Sequence, residues 1–231
     1  SIVKKFHGND IYVIARQTVF QDPVLAETKK GWAIKSKYGG TWRDHKGLAW
    51  VDPTRQEVWN YNIAIAREAM RFGFDEINFD YVRDFFQRIS DKLSNGSAWL
   101  SIDMFGFVME RHDGMWIGQR LEDATDYVDY ISPMMYPSHY PSGHLGLVNP
   151  ADNPGIVIEN GMKKGQPYFE NKRAESRPWI QAFNIGAVYD SGPKIREQID
   201  KVEQYSDGGW LLWNASNRYT SAGLKLTSVG E

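Results

Sequence analysis

The sequence of 231 residues contains no cysteine, and this absence excludes a disulfide scaffold, a thiolate zinc site and a cysteine nucleophile. It also contains no run of eighteen or more apolar residues, so we expect no membrane span in this chain. The N-terminal stretch SIVKKFHGND is too polar for a signal peptide. Neither charge sign dominates, with 27 basic and 29 acidic side chains and a formal net charge of −2. The composition therefore indicates no nucleic-acid partner.

Strand-like and helix-like segments alternate along the chain, which is typical of an α/β fold with a parallel sheet and helical crossovers. We predict strands at 11–19, 75–83, 99–107, 128–137, 177–185 and 208–216. We predict helices at 53–71, 84–93, 121–128, 155–165 and 193–205. Asp52 is expected to cap the first of these helices and Gly73 to end it. Residues 20–53 form a long irregular segment, a length of loop that is usually functional.

Six strands are visible, whereas a closed (β/α)8 TIM-type barrel has eight. We therefore predict that residues 1–231 form a single barrel domain from which the first two strands are missing. The predicted strands are nearly continuous apolar runs, as expected when both faces of a sheet are covered. In such a barrel the active site lies at the carboxyl ends of the strands.

Polar side chains are concentrated at those predicted strand ends. Because side chains alternate between faces, Asn78 and Asp80 should share the inner face of one strand, and Ser101 and Asp103 that of the next. Other strands carry polar or aromatic residues at the same ends: Arg16 and Gln17, Tyr136 and His139, Gln181 and Asn184, and Trp213 and Asn214. Asp75 and Glu76 precede their strand and should lie at the opposite end of the barrel or cap a loop.

A carboxylate pair on neighbouring strands is the arrangement that glycoside hydrolysis requires. One carboxylate attacks or stabilises the anomeric carbon, and the other protonates the leaving oxygen. The two carboxyl groups lie roughly 5 Å apart in retaining enzymes and roughly 6.5–9.5 Å apart in inverting ones. The sequence favours Asp80 and Asp103 as this pair without choosing between the two outcomes, and Glu110 is a reserve candidate for the acid.

The chain resembles a bacterial family of glycosyl hydrolase domains that is distantly related to the α-amylase-type barrels. The likeness covers essentially the whole chain and is carried by VIARQTVFQDP, GGTWRDHKGLAWVDP, EVWNYNIAIAREAMRFGFDEINFDYVR, DYISPMMYPSHY and GWLLWNASNRY. It implies that the first visible strand is the third of the barrel. Asp80 then occupies the place of the nucleophile on the fourth strand. Asp103 occupies the place of the general acid on the fifth, where amylase-type enzymes have glutamate. The sequence also departs from the family where YVR runs directly into DFFQRIS, without the usual longer loop.

The predicted function is a glycoside hydrolase that cleaves the O-glycosidic bonds of an oligo- or polysaccharide. Aromatic faces stack on the C–H face of a pyranose, and planar polar groups bind its hydroxyls. Arg16 and Arg83 are expected to hold Asp80 ionised. The predicted substrate-binding residues are Arg16, Trp42, Trp50, Asn78, Arg83, Tyr136, His139, Gln181, Trp213 and Asn214. No cofactor is predicted, the oligomeric state stays open, and an extracellular or cell-envelope location is expected.

Two other functions stay open on the sequence alone. A non-catalytic carbohydrate-binding barrel would keep the tryptophan faces while its two carboxylates lie too far apart. A metal-assisted hydrolase would use Asp80, Asp103 and His139. His139, His144 and Asp152 match no tight ligand spacing, so no metal site is predicted.

Overall fold

The computed structural model describes residues 2–79, 89–93, 96–114 and 119–224. Of Asp80 it describes the backbone but not the side chain. Several sequence predictions fall outside this range: the roles of Arg83 and of the Asp80 carboxylate, the end of the second predicted strand and the first half of the 84–93 helix. The chain divides into two compact units. The first comprises residues 1–103 and 127–129, and the second 104–126 and 130–231. The prediction of a single domain over 1–231 stays a prediction.

Among the described residues, the first unit contains three parallel strands and four helical segments. The strands are β1 (Ile14–Thr18), β2 (Glu76–Asp80) and β3 (Trp99–Phe105). The last two residues of β3 belong to the second unit. The helices are α1 (Ile2–His7), α2 (Pro23–Thr28) and α3 (Gln56–Phe72). Residues 89–93 are also helical. β2 lies between β1 and β3, with Asn78 in register with Arg16 on one side and Ser101 on the other.

Apolar residues on the outer face of β2 and β3 build the core of this unit. Ile77, Phe79, Leu100 and Ile102 are all buried. Complete burial of each such side chain contributes about 1.5–3 kcal/mol to folding. α3 packs against β2 and buries Val58, Ile63 and Ala66, which recur at helical spacing.

The start of α3 differs from the sequence prediction. Arg55, not Asp52, occupies the N-cap position, and the helix begins at Gln56. The Asp52 carboxylate instead accepts hydrogen bonds from the amide and hydroxyl groups of Thr54. Asp52 therefore closes a turn before the helix, while Gly73 ends the helix as predicted, in the left-handed conformation at φ 90°.

The segment predicted as irregular is partly ordered. Besides α2, it contains three antiparallel bridges, which join Ala33 to Val51, Lys35 to Thr41 and Arg43 to Ala49. We call residues 33–51 the hairpin. Alternation of apolar residues does not distinguish this hairpin from an irregular loop in the sequence. Its structure depends on side-chain hydrogen bonds, which are described below.

In the part of the second unit that the structure describes, there are four further strands and two long helices. The strands are β4 (Tyr130–Met135), β5 (Glu175–Ser176), β6 (Trp179–Gln181) and β7 (Leu211–Trp213). The helices are α4 (Pro154–Gly165) and α5 (Pro193–Glu203), which pack against each other. β4 pairs in parallel with β5 and β6, and β6 with β7. The two-residue β5 was not predicted, and the predicted helix at 121–128 is only a single 3-10 turn, Leu121–Asp123.

Parallel strands with intervening helices confirm the predicted α/β class in both units. No helix within the described residues is long and apolar enough to cross a membrane.

Candidate active site

The inner face of β2 and β3 carries a continuous set of buried polar side chains. The Asn78 amide nitrogen donates to Ser101 Oγ at 2.9 Å and to Asp103 Oδ1 at 3.0 Å. Ser101 Oγ in turn donates to Glu76 Oε1, and the Tyr12 hydroxyl donates to Glu76 Oε2 at 3.1 Å. We call Glu76, Asn78, Ser101 and Asp103 the polar ladder. Strand alternation correctly predicted that Asn78, Ser101 and Asp103 share a face.

Glu76 is the member of this ladder that sequence analysis missed. It is the first residue of β2, not a residue preceding the strand, and it is fully buried. Its spacing of two from Asn78 was the available signal, because residues at even spacing in a strand share a face. Asp75 does act before the strand, where it accepts from the Val13 amide at 2.7 Å and contacts His7 Nε2 at 2.9 Å.

Asp103 is buried, with 2% of its side chain exposed, and it forms an ion pair with Arg16. Arg16 Nη2 lies 3.2 Å from Asp103 Oδ2, while 46% of the arginine side chain is exposed. The sequence predicts Arg16 as a partner of Asp80, and this prediction lies outside the described residues because the Asp80 side chain does. The arginine charge and the Asn78 donor both stabilise the ionised form of the Asp103 carboxylate.

Asp80 ends β2, and its backbone lies in register with Thr18 of β1 and Asp103 of β3. Adjacent strands are about 4.8 Å apart. The two aspartates proposed as the carboxylate pair therefore stand opposite each other at the carboxyl ends of neighbouring parallel strands. This register was not available from the sequence, whose alternation indicates only the face.

Trp42 and Trp50, both predicted to bind substrate, belong to the hairpin. Their ring centroids lie 6.4 Å apart in an edge-to-face arrangement, and 41% of Trp42 is exposed. Trp50 Nε1 donates to Asp44 Oδ2 at 3.0 Å. Hydrogen bonds from Trp50, from two hairpin amides and from Gln21 hold the pKa of Asp44 at about 2, against the opposing effect of burial. Asp44 thus fixes the hairpin and the position of the Trp50 ring.

Tyr136 and His139 lie together in the second unit, beyond the end of β4. Their rings meet edge to face at a centroid distance of 5.1 Å, and Phe183 packs against both. Burial lowers the pKa of His139, so the imidazole is neutral near pH 7. Both residues line a cavity of about 260 Å³, which we call the aromatic cavity. Its lining consists of Phe105, Gly106, Phe107, Met134, Tyr136, His139 and Tyr140.

Glu110, the reserve candidate for the acid, does not line this cavity. Only 6% of its side chain is exposed, and its carboxylate lies 3.3 Å from His144 Nε2 and 3.8 Å from Lys164 Nζ. Burial raises the pKa of the neighbouring Tyr140, and the charge of Glu110 adds to that effect. The structure therefore places the Glu110 carboxylate beside the His144 ring and the Lys164 ammonium group, outside the lining of the aromatic cavity.

The histidine and aspartate side chains weighed as metal ligands are not grouped. His144 contacts Glu110, whereas Asp152 lies 3.5 Å from Lys194 Nζ. Within the described ranges no set of three or more histidine, aspartate or glutamate side chains could hold a metal ion.

Gln181 and Asn214 were predicted to bind substrate, but their amides are occupied by the protein. Gln181 Oε1 accepts from the Ser138 amide, and its nitrogen donates to the carbonyls of Phe183 and Ile185. Asn214 donates to the carbonyls at 182 and 218 and accepts from the amide at 216. Both side chains therefore fix loops after their strands. Trp213 packs edge to face on Trp179, with centroids 5.8 Å apart.

Two of the comparisons with known proteins found matches to this chain. A family model described as "Putative glycosyl hydrolase domain" matches residues 1–84 and 82–219. No curated protein matches the sequence. A hypothetical protein from Ruminiclostridium thermocellum ATCC 27405 is 39% identical over 44% of this chain and 63% of its own, with a TM-score of 0.39.

Two solved structures share the fold at low sequence identity. The PgaB (BpsB) glycoside hydrolase domain of Bordetella bronchiseptica is 11% identical, with a TM-score of 0.59 over 89% of this chain and 71% of its own. The spore cortex-lytic enzyme SleL of Bacillus megaterium QM B1551 is 10% identical, with a TM-score of 0.60 over 94% and 59%. The present chain thus spans about three fifths of two of these three proteins.

These likenesses confirm the barrel-type fold class predicted from the alternating pattern. The family match extends over nearly the whole sequence and confirms the resemblance found in its motifs. The chain belongs to this family of glycosyl hydrolase domains.

Proposed function

We propose that this protein hydrolyses O-glycosidic bonds of an oligo- or polysaccharide, with Asp80 and Asp103 as its two carboxylates. The observation that carries the proposal is the register of β2 and β3, which pairs these two residues at adjacent strand ends. Membership of a glycosyl hydrolase family supplies the reaction class. Asp80 is the nucleophile or the carboxylate that stabilises the anomeric carbon, and Asp103 is the acid and base.

The surroundings of Asp103 set a condition on its role. A general acid must hold a proton, but Arg16 and Asn78 favour the ionised carboxylate. The Asp103 side chain is buried, while that of Arg16 is half exposed and is the partner able to move. Asp103 therefore gains a proton when substrate displaces Arg16 from it, which couples binding to acid function.

The direct test is hydrolysis of a panel of nitrophenyl glycosides and bacterial exopolysaccharides by the wild type, Asp80→Asn and Asp103→Asn. Each substitution should lower kcat by at least about 10²-fold. Asp91→Asn, at an exposed position, is the matched control and should leave kcat unchanged. Full activity of Asp80→Asn, with thermal unfolding showing a folded protein, would remove this mechanism.

The role of Asp103 can be read from the pH profile of Arg16→Gln. Removing the arginine charge favours proton uptake by Asp103, so the limb of the kcat/KM profile that reports Asp103 should move to higher pH. Movement of the alkaline limb identifies Asp103 as the group that must be protonated. Movement of the acidic limb alone, with the alkaline limb unchanged, contradicts the acid role of Asp103, because it shows that Arg16 acts on a group that must be ionised. Arg55→Gln, which removes an exposed partner of Glu57, should move neither limb.

A second function, carbohydrate binding without catalysis, is favoured by one observation. The Asp103 carboxylate is already used by Arg16 and Asn78, as in a purely structural network. In that case the protein would bind a glycan that it does not cleave, and Asp80→Asn and Asp103→Asn would leave the Kd unchanged.

We further propose an extracellular or cell-envelope location, since bacterial exopolysaccharides lie outside the cytoplasm. Fractionation of the native host, followed by detection of the protein in each fraction, tests this. Recovery in the cytoplasmic fraction alone would contradict it.

A further inference from the structure

The hydrogen bonds of the polar ladder run in a fixed direction. The Ser101 hydroxyl carries a single hydrogen and donates it to Glu76 Oε1. Its oxygen is therefore an acceptor for the Asn78 amide, whose nitrogen lies 2.9 Å away. The same nitrogen donates its second hydrogen to Asp103 Oδ1 at 3.0 Å. Glu76 and Asp103 are thus connected through two intervening side chains, although they do not contact each other in this series.

The oxygen of the Asn78 amide takes no part in the series. Asn78 is 2% exposed, and its Oδ1 atom makes no hydrogen bond within the described residues. A buried carbonyl oxygen without a partner is destabilising, so the orientation of this amide is set by the two acceptors of its nitrogen. A half-turn about the Cβ–Cγ bond would exchange the two atoms and direct Oδ1 at Ser101 and Asp103.

Glu76 opposes this rotation of the amide. The rotated oxygen could accept from Ser101 only if the hydroxyl released Glu76, and from Asp103 only if that carboxyl group carried a proton. Glu76 Oε1 holds the Ser101 hydrogen, and its Oε2 accepts from the Tyr12 hydroxyl at 3.1 Å. Glu76 is also fully buried as the first residue of β2, so its carboxylate has a fixed position.

We propose that Glu76 is a positioning residue for Asp103. Through the Ser101 hydroxyl it keeps the nitrogen of Asn78 directed at the Asp103 carboxylate, and it thereby opposes proton uptake by Asp103. The inference rests on the proposed function for the catalytic role of Asp103. When substrate displaces Arg16, the Asn78 donor is the restraint that remains on this carboxylate, and Glu76 controls it.

A direct effect of the Glu76 charge on Asp103 would have the opposite sign. A nearby carboxylate favours the protonated form of a carboxyl group, so removing Glu76 would lower the pH at which Asp103 titrates. Loss of the positioning contact instead frees the Ser101 hydrogen for Asn78 Oδ1. The rotated amide then accepts a hydrogen bond from protonated Asp103, which raises the pH at which Asp103 titrates. The direction of the shift therefore separates the two effects.

Other charged residues near Asp103 stay the same in this comparison. Arg16 Nη2 on β1 lies 3.2 Å from Asp103 Oδ2, and Asp80 on β2 stands in register with Asp103. Both residues are retained in variants of Glu76 and Ser101. A shift that appears in those variants is therefore a property of the polar ladder.

The test is ¹³C NMR of the side-chain carboxyl groups in aspartate-labelled protein during a pH titration, with the Asp103 resonance assigned by its loss in Asp103→Asn. Glu76→Met keeps the side-chain volume but removes the acceptors, and it should raise the Asp103 titration midpoint by about one pH unit, the size of one hydrogen bond to a charged group. Ser101→Ala should shift the midpoint in the same direction. Glu68→Gln, at an exposed position of α3, is the matched control and should not shift it.

The double variant Glu76→Met/Ser101→Ala tests whether the two residues act through one hydroxyl group. Its Asp103 midpoint should be no higher than that of Ser101→Ala alone. Shifts that add in the double variant would overturn the inference, as would an unchanged or lowered midpoint in folded Glu76→Met. If Glu76→Met does not fold, Ser101→Ala decides, and an unchanged midpoint in that variant overturns the inference.

Failure of the inference and failure of the proposed function give different results, because the NMR titration needs no catalysis. If Glu76→Met and Ser101→Ala raise the Asp103 midpoint but no glycan is cleaved, the positioning contact stands and the hydrolase proposal falls. If glycans are cleaved while Glu76→Met changes neither this midpoint nor the alkaline limb of the kcat/KM profile, the hydrolase proposal stands and the positioning role falls.

Discussion

The polar ladder of the first unit and the aromatic cavity of the second use their hydrogen-bonding groups in contrasting ways. In the ladder, Asn78 donates both of its amide hydrogens to buried neighbours, and Asp103 contacts Arg16 and Asn78. Asn78 Oδ1 is the ladder atom that has no hydrogen-bond partner within the described chain. In the cavity lining, the Tyr140 hydroxyl is equally buried and makes no hydrogen bond there, neither as donor nor as acceptor. The bonded donors of the ladder fix its side chains in place, whereas the Tyr140 ring is held by packing alone.

The largest effect on this contrast is expected from Asn78→Asp, which keeps the shape of the side chain but replaces a donor with a second carboxylate beside Asp103. A buried charge without a partner should cost about 3–5 kcal/mol of the free energy of unfolding at pH 7. Part of this loss should be recovered at low pH, where the new carboxyl group is protonated. Chemical denaturation measures both. Asn60→Asp on the exposed side of α3 is the control, expected to change stability by less than about 0.5 kcal/mol.

Gly106→Ala tests the wall of the cavity. Its methyl group would lie against the Met134 carbonyl and the Tyr140 hydroxyl, so we expect a loss of about 1–3 kcal/mol from overpacking. Gly31→Ala provides the comparison, since no atom lies within 4 Å of its added Cβ. If thermal denaturation shows the same small change for both, the wall at Gly106 is softer than the structure indicates.

Two buried tyrosines of the second unit allow a sharper version of the comparison. The Tyr189 hydroxyl donates to the Ala151 carbonyl at 2.9 Å, so Tyr189→Phe should destabilise the protein by about 1 kcal/mol. Tyr140→Phe removes a hydroxyl that has no such bond, so it should leave stability unchanged or raise it by up to about 1 kcal/mol. Equal losses in the two variants would show that the Tyr140 hydroxyl has a partner in the unliganded protein.

The smallest effect is expected at Asp44, a carboxylate in the hairpin that accepts hydrogen bonds from side chains and backbone amides. Its pKa of about 2 lies below the ordinary 3.8, because Trp50 and other donors stabilise the charged form. Its contribution to hairpin stability should therefore be complete above pH 4 and disappear as the pH falls through about 2. Trp fluorescence between pH 4 and pH 1.5 should show this transition, and Asp44→Asn should abolish it. A transition retained in Asp44→Asn would assign it to another group.

The fold class and the shared face of the ladder could be predicted because both depend on local periodicity. Alternation along β2 and β3 placed Asn78, Ser101 and Asp103 together, and alternating strand and helix segments indicated the parallel sheet. The ion pair between Arg16 and Asp103 was not predicted, because it depends on the register between strands, which is a property of the tertiary structure. The predicted pairing of Arg16 with Asp80 stays a prediction, since the Asp80 side chain lies outside the described residues.

The remaining differences have a common physical origin. The amides of Gln181 and Asn214 bond to backbone groups of neighbouring loops, and their predicted role in substrate binding stays a prediction. Polar side chains at strand ends serve loop closure as readily as substrate binding, and composition does not separate the two uses.

The bridging amide of Asn78 has an evolutionary consequence. One side chain donates to both Ser101 and Asp103, so a change at any of these three positions leaves a buried group of another unpaired. Substitutions at the three positions should therefore be correlated among homologous chains, so that a change at one position is accompanied by a compensating change at another. Homologous chains that lose the aspartate should also have lost the asparagine, and this covariation would separate family members that retain the arrangement from those that have abandoned it.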